Sequence, residues 1–255
     1  MTAALESALA GMAAISLDEL VAQAALQTRV DRKYLLPRAE LEDLLAGLPA
    51  DALVLDEDGL RSFDYESVYF DTPDLDSYLA AARKRRRRYK IRTRCYLDSG
   101  DCFLEVKTRG GRSVTVKDRV PYDAEARDEL TAEGLEHTDT ILAEAGIDRP
   151  DAPLEPTLVT RYARSTVFLP AAGARATVDR DLEWITPAGT VLRTPELAIV
   201  ESKSGSAPSP MDRLLWRHGH RPDGISKYGV GLAALRPDLP ANKWSRVLRR
   251  HFTPA

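Results

Sequence analysis

The stretch from Arg86 to Val120, RRRYKIRTRCYLDSGDCFLEVKTRGGRSVTVKDRV, decides how this chain is read. It holds three runs with strand alternation, and two turn signals separate them: Asp98-Ser99-Gly100-Asp101 and Gly110-Gly111. Successive strand side chains point to opposite faces, so parity sorts them. With Asp98–Asp101 as a four-residue loop, Leu97 pairs with Cys102, Arg94 with Glu105 and Arg92 with Lys107. A three-residue turn at Arg109-Gly110-Gly111 then sets Lys107 opposite Ser113 and Glu105 opposite Thr115. One face collects Arg88, Lys90, Arg92, Arg94, Glu105, Lys107, Lys117 and Arg119. The other takes Cys95, Cys102, Leu104, Val114, Val116 and Val120. A slip of one residue would exchange the faces, so the pattern itself argues for this parity. The two cysteines fall at diagonal positions on the apolar face and read as separate core thiols, not a disulfide or a metal pair.

The charge is concentrated, not abundant. Nine of the twelve residues from Arg83 to Arg94 are basic, yet the 255-residue chain has 36 Lys and Arg against 39 Asp and Glu, a formal net charge of −3. A chain that binds nucleic acid through bulk charge carries a basic surplus, so nucleic acid is disfavoured as a partner. Turned inward in a closed sheet, the charged face would be a lumen of repelling cations. At ~6 Å such a pair repels by ~2–3 kcal/mol at an effective dielectric near 20, and an anion relieves it. Arg offers forked hydrogen bonds to phosphate oxygens and Lys a point charge. Glu201 and Lys203 repeat the Glu-x-Lys spacing of Glu105 and Lys107. A carboxylate inside an anion site suits a Mg²⁺ or Mn²⁺ that bridges phosphates with few protein ligands.

Around this centre, Ser16 and Glu19 form a capping-box pair that starts a helix to about Gln27. Thr28–Leu36 and Phe63–Asp71 read as strands, Pro37–Leu48 as a helix and Asp51–Arg61 as a loop. Thr72-Pro73 opens a helix through Ala82. Strands follow at Leu154–Phe168, Arg175–Trp184 and Glu196–Lys203, then helices at Pro210–Arg217, Lys227–Leu235 and Lys243–Arg250. No run of apolar residues is long enough for a membrane span. The Ala-rich start has no basic n-region and two cysteines make no disulfide framework, so a cytoplasmic protein is expected. No composition shift marks a second domain. One domain over 1–255 is expected, with an N-terminal helix about 1–27 and C-terminal helices about 210–252.

Nine segments, in order, resemble the polyphosphate-polymerase (VTC) domain of the triphosphate tunnel metalloenzymes. They are DRKYLLP (31–37), SVYFDTPDLDSY (67–78), RRYKIRTRCY (87–96), FLEVKTR (103–109), VKDRVPY (116–122), LVTRYARSTVF (158–168), VDRDL (178–182), IVESK (199–203) and SKYGVG (226–231). The resemblance implies an α+β fold, a closed antiparallel β-tunnel of about eight strands with flanking and capping helices. It implies triphosphate binding by Lys33, Arg92, Arg94, Lys107 and Lys227, assisted by Ser226, with Glu201 as the metal-binding glutamate. An arginine of Arg161–Arg164 should also reach phosphate, and Arg161 is favoured over Arg164. Arg88, Lys90, Lys117, Arg119 and Lys203 line the same expected face. Glu105 and Asp179 are further metal candidates, with an exposed strand acid as the plain alternative for Asp179. Where the wider superfamily tends to start with Glu-x-Glu-x-Lys, this chain has Arg29-Val30-Asp31-Arg32-Lys33. The missing acid weakens two-metal hydrolysis and favours the polymerase-like branch. The implied activity is transfer of the terminal phosphate of ATP to polyphosphate with Mn²⁺ or Mg²⁺. A metal-dependent triphosphatase and a non-catalytic polyphosphate-binding module are the alternatives.

Overall fold

The computed structural model describes residues 3–23, 30–110 and 115–252. The chain folds into two compact units that interleave along the sequence. The first takes Met1–Phe63, Tyr162–Leu182 and Thr194–Gly224; the second takes Asp64–Arg161, Glu183–Arg193 and Ile225–Ala255. In chain order the strands are β1 Ala13–Ile15, β2 Val30–Pro37, β3 Leu53–Leu55, β4 Phe63–Asp71, β5 Arg88–Tyr96, β6 Cys102–Arg109, β7 Thr115–Pro121, β8 Glu155–Leu169, β9 Ala174–Ile185, β10 Val191–Thr194 and β11 Leu197–Ser204.

In the first unit the ladder runs β2-β11-β9-β8, with the short parallel pair β1–β3 joined to β8. Even-numbered residues of β2, β9 and β11 (Tyr34, Leu36, Ala176, Val178, Ala198 and Val200) share a core with Leu5, Leu41, Leu44, Met211 and Leu215. Those partners come from helices Ala3–Ala10, Leu41–Ala46 and Pro210–Arg217. The even-numbered side chains form this apolar core, while the odd-numbered face carries Lys33, Arg175, Thr177, Asp179, Glu201 and Lys203.

In the second unit the ladder runs β4-β5-β6-β7, antiparallel throughout. Val68, Phe70, Tyr89, Ile91, Leu104 and Val106 pack with Leu142 and Ile147, in and after helix Ala132–Glu144. The segment SKYGVG begins helix Lys227–Leu235, with Ser226 as its N-cap. Its glycines allow close approach of two rings: a Cβ on Gly231 would lie 2.0 Å from Trp184, and one on Gly229 would lie 2.2 Å from Trp244.

Several expectations change. Residues Asp51–Arg61 hold β3 as well as loop, and β10 was not expected. After Pro37 the chain forms one 3-10 turn and then helix Leu41–Ala46. Ser16 and Glu19 do form the capping box, with Ser16 N to Glu19 Oε2 at 3.1 Å. The ends expected at 24–29 and 111–114, with Ser113 and Val114, lie outside the described residues.

Both hairpin registers differ from expectation, and both differ by an even number of residues. Cys95 faces Cys102 and Arg92 faces Glu105, two residues from the expected pairing. Glu105 faces Arg119 and Lys107 faces Lys117, four residues from it. Even slips keep each side chain on its face, so the partition into charged and apolar faces stands while the partners change. They also correct the cysteines: placed directly opposite, Cys95 and Cys102 are joined as a disulfide, S–S 2.21 Å.

The closed tunnel is corrected too. Among the described residues β2 pairs only with β11 and β7 only with β6, so each ladder ends on an open edge. Side-chain parity assigns faces, but closure also needs matched tilt and stagger, which parity does not encode. Among the described residues no helix is long and apolar enough to cross a membrane.

Candidate functional site

In the first unit the odd-numbered face centres on Glu201. On β11 it stands directly across from Lys33 on β2, and Lys203 stands across from Asp31. Lys33 Nζ lies 3.3 Å from Glu201 Oε2, and Lys203 Nζ lies 3.1 Å from Oε1. On the other side of β11, Thr177 faces Glu201 and Arg175 faces Lys203. Arg164 of β8 grips Asp179 of β9 through two hydrogen bonds, Nε–Oδ1 2.6 Å and Nη2–Oδ2 2.8 Å. Burial alone would raise the Glu201 carboxyl, but Lys33, Lys203 and Arg164 outweigh it and hold it well below the usual carboxylate range. Burial pushes Lys203 down to about 8; Arg164 and Arg175 add to the shift and Glu201 opposes it.

The second unit builds its own cluster on Glu105, which is 2% exposed. Arg92 reaches one carboxylate oxygen with Nε at 2.7 Å and Nη2 at 2.5 Å. Lys117 Nζ takes the other at 2.6 Å, and Arg94 Nη1 lies 3.9 Å from it. Burial would raise the Glu105 carboxyl, but Arg92, Arg94 and Lys117 hold it far below its ordinary value. Lys117 is lowered to about 8 by burial, against the pull of Glu105. Tyr69 of β4 stacks on Tyr228 with ring centroids 5.0 Å apart and accepts a hydrogen bond from Arg92 Nη1 at 2.9 Å. Lys90 Nζ donates to Ser226 Oγ at 2.8 Å, which draws the cationic face to the start of helix Lys227–Leu235. Read across β5, β6 and β7, this face carries eight Lys and Arg (88, 90, 92, 94, 107, 109, 117 and 119) against one carboxylate.

The two arginines of β8 separate by parity. Arg161 shares the face of Val159, on the apolar side of the second unit, and binds Glu66 Oε2 at 2.7 Å. Arg127 takes the other oxygen of Glu66 at 2.8 Å. Glu66 faces Cys95 across the β4–β5 ladder, away from Arg92 and Arg94. The preference for Arg161 is therefore reversed, because Arg164 is the arginine beside Asp179 and Glu201. Asp179 is no exposed strand acid, since it is 0% exposed.

The expected metal donors differ in how they are held. The oxygens of Glu105 and Asp179 are engaged by arginine or lysine. Among the described residues no three His, Cys, Asp or Glu side chains gather to hold a cation by themselves. Glu201 is ionised and, among the described residues, paired with Lys33 and Lys203, and a carboxylate of this kind fits a hard divalent cation that needs few protein ligands.

The VTC domain profile matches residues 28–236, more than three quarters of the chain. The chain belongs to the VTC domain family. No curated protein is significantly similar to this VTC domain. Among solved structures it is similar to a candidate adenylyl cyclase from Hippeastrum, described as having a dominant triphosphatase activity: 18% identity, 85% of this chain and 100% of that one, TM-score 0.49. A Pyrococcus horikoshii protein is 14% identical, covering 80% and 98% of the two chains, with a TM-score of 0.44. A candidate adenylate cyclase from Bacillus halodurans is 12% identical over 89% and 93%, TM-score 0.44. The profile match spans both carboxylate clusters of the VTC domain.

Sequence reasoning left Tyr69, Ser67, Arg175 and Thr177 out of the site. Parity would have found them. FDYESVYFD puts Ser67 and Tyr69 on one face, opposite Arg94 and Arg92, and Arg175 and Thr177 share the parity of Asp179.

The depressed carboxyls of the VTC domain predict a pH dependence. A group lowered in the folded state stabilises it fully above the unfolded value, about 4.5 here, and loses that contribution as pH falls through the folded value. The thermal midpoint is expected to stay level from about pH 7 to 5 and to fall below about pH 4.5, with a shallower fall in Glu105→Gln. Circular dichroism melts at four pH values check this; a midpoint preserved at about pH 3 would contradict it.

Proposed function

We propose that the chain is a metal-dependent phosphotransferase that builds inorganic polyphosphate from the terminal phosphate of ATP. The observation that carries this reading is the charge ratio of the β5–β6–β7 face, eight cations to one buried carboxylate. The mutual repulsion on such a face is relieved by a multiply charged anion, and family membership points the same way. In the first unit Lys33, Lys203 and Arg164 beside Glu201 would bind phosphate oxygens, and in the second unit Arg92, Arg94, Lys107 and Lys117 beside Glu105 would do the same. Lys90 and Ser226, with Arg88, Arg119 and Lys227, would extend the contacts. Glu201 would hold Mn²⁺ or Mg²⁺, which when bound neutralises charge on the phosphates. The attacking oxygen belongs to the growing chain, so the protein needs no nucleophile. Its contribution is in-line positioning and preorganised charge.

The test is incubation of the purified protein with ATP and Mn²⁺, followed by sizing of the phosphate products. Acid-insoluble polymer is expected. Orthophosphate release without polymer would overturn the reading and assign the same residues to triphosphate hydrolysis. Binding without turnover would leave a polyphosphate-binding module.

A further inference from the structure

A second group of cations lies at one end of the charged face, within the second unit; two of them, Arg88 and Arg109, belong to that face, and the reading above does not use the other two, Lys84 and Lys243. Arg88 begins β5 and Arg109 ends β6, and the two stand directly opposite. Lys84 sits in the left-handed turn before β5, with φ 55°. Lys243 lies in the 3-10 turn Asn242–Trp244, its Nζ 5.2 Å from the centre of the Trp244 ring.

Three observations separate this cluster from a solvated charge run. Among the described residues none of the four has a carboxylate within ion-pair distance. Among the described residues the Nε of Arg109 is buried without a hydrogen-bond partner, which a native protein rarely leaves so. Gly110, next to Arg109, lies in close approach to another segment, since a Cβ on it would lie 2.7 Å from the Ala145 carbonyl oxygen. Burial, then Arg88, Lys84 and Arg109, lower the Lys243 ammonium. By contrast the rows on Glu105 and Glu201 carry their own counter-charge.

The rows are contiguous. Arg88 and Arg109 stand two residues from Lys90 and Lys107 on the same strands and face, roughly 7 Å along the sheet. An anion that continues past Lys90 and Lys107 meets them next. We propose that Lys84, Arg88, Arg109 and Lys243 form an extension site for a linear condensed-phosphate chain, engaging phosphates beyond the three held by the main face. This deepens the polyphosphate reading and rests on it. It gives the acceptor polymer a foothold that a bare triphosphate does not use.

The test compares two ligands by titration calorimetry without nucleotide or metal: tripolyphosphate, and a polyphosphate of about fifteen phosphates. In Lys84→Gln/Lys243→Gln, affinity for the long chain is expected to fall about tenfold or more, with tripolyphosphate changed less than about twofold. Lys243→Arg, with Lys84 intact, is expected to keep long-chain affinity near the parent value, which guards against misfolding as the cause of a loss. Equal losses for both ligands, or no loss for either, would overturn the proposal. So would a single-stranded oligonucleotide of matching charge that shows the same loss, since the cluster would then be a general polyanion or nucleic-acid patch. Because no turnover enters the measurement, failure to synthesise polymer would remove the proposed activity and leave this result standing or falling by itself.

Discussion

Glu201→Gln is expected to reduce turnover of ATP by about 10²–10³-fold while tripolyphosphate still binds without metal at least as tightly as to the parent. The sign follows from the charges around it. Glu201 is the negative partner of Lys33 and Lys203, and Arg164 acts on it as well. Removing its charge frees both ammonium groups for phosphate, so anion affinity holds or rises. The amide is a weaker ligand for a hard divalent cation than a carboxylate, so whatever the cation contributes is lost. The free variant should also be less stable, because two crowded lysines lose their counter-ion. Added tripolyphosphate should restore its melting midpoint by mass action. Two measurements decide: product formation with Mn²⁺, and calorimetric affinity in chelator. Turnover at the parent rate would remove Glu201 from the proposed chemistry, and loss of binding together with turnover would make its role structural.

Asp212→Ala is expected to destabilise the protein by about 3–5 kcal/mol, the loss characteristic of a buried charge network that loses one partner. Asp212 is 0% exposed and sits in helix Pro210–Arg217. Its Oδ1 accepts from Tyr34 Oη at 2.7 Å; its Oδ2 accepts from Ser209 N at 2.8 Å and Ser202 Oγ at 3.1 Å, with Arg32 Nη1 at 3.4 Å. Arg32 and Tyr34 flank Lys33 on β2, and Ser202 lies between Glu201 and Lys203 on β11. One carboxylate thus ties the two strands of the Lys33–Glu201 pair to the helix behind them. Alanine leaves the Tyr34 phenol and the Ser209 amide without this acceptor and removes the carboxylate partner of Arg32, which keeps Ser204 Oγ and the Ser206 carbonyl. Asp212→Asn keeps the shape and part of the hydrogen bonding, so it should lose less. Urea denaturation of the two variants is the check; equal and small losses would show that the network contributes little.

How much of this was legible beforehand varies with the kind of question. On β5, β6 and β7 the alternation of Arg88, Lys90, Arg92 and Arg94 with Tyr89, Ile91 and Cys95 determined the faces, and these survived two errors of register. Parity has a period of two, so an error of two or four residues leaves it unchanged. The pairing of Glu105 with Arg92 and Arg119 was not legible, because it depends on loop lengths near Asp98 and Gly110. The disulfide was missed for the same reason, since a two-residue slip turns a diagonal pair into a direct one. On β8 the parity of Val159 with Arg161 was available, but only packing shows which face is the core.

The sequence by itself determined the longer strands and the C-terminal helices, the split of β5, β6 and β7 into a charged and an apolar side, and the ordered motifs that place the chain in its family. All are local properties, set by side-chain spacing along one segment. The tertiary structure alone decided that Glu201 meets Lys33 and Lys203, that Arg164 rather than Arg161 stands with Asp179, and that residues from distant segments interleave into two compact units. It also placed Lys243 beside Arg88 and Arg109, more than a hundred residues away along the chain. Contacts at such separations follow from registers, edges and helix docking, which many segments share and no single segment encodes.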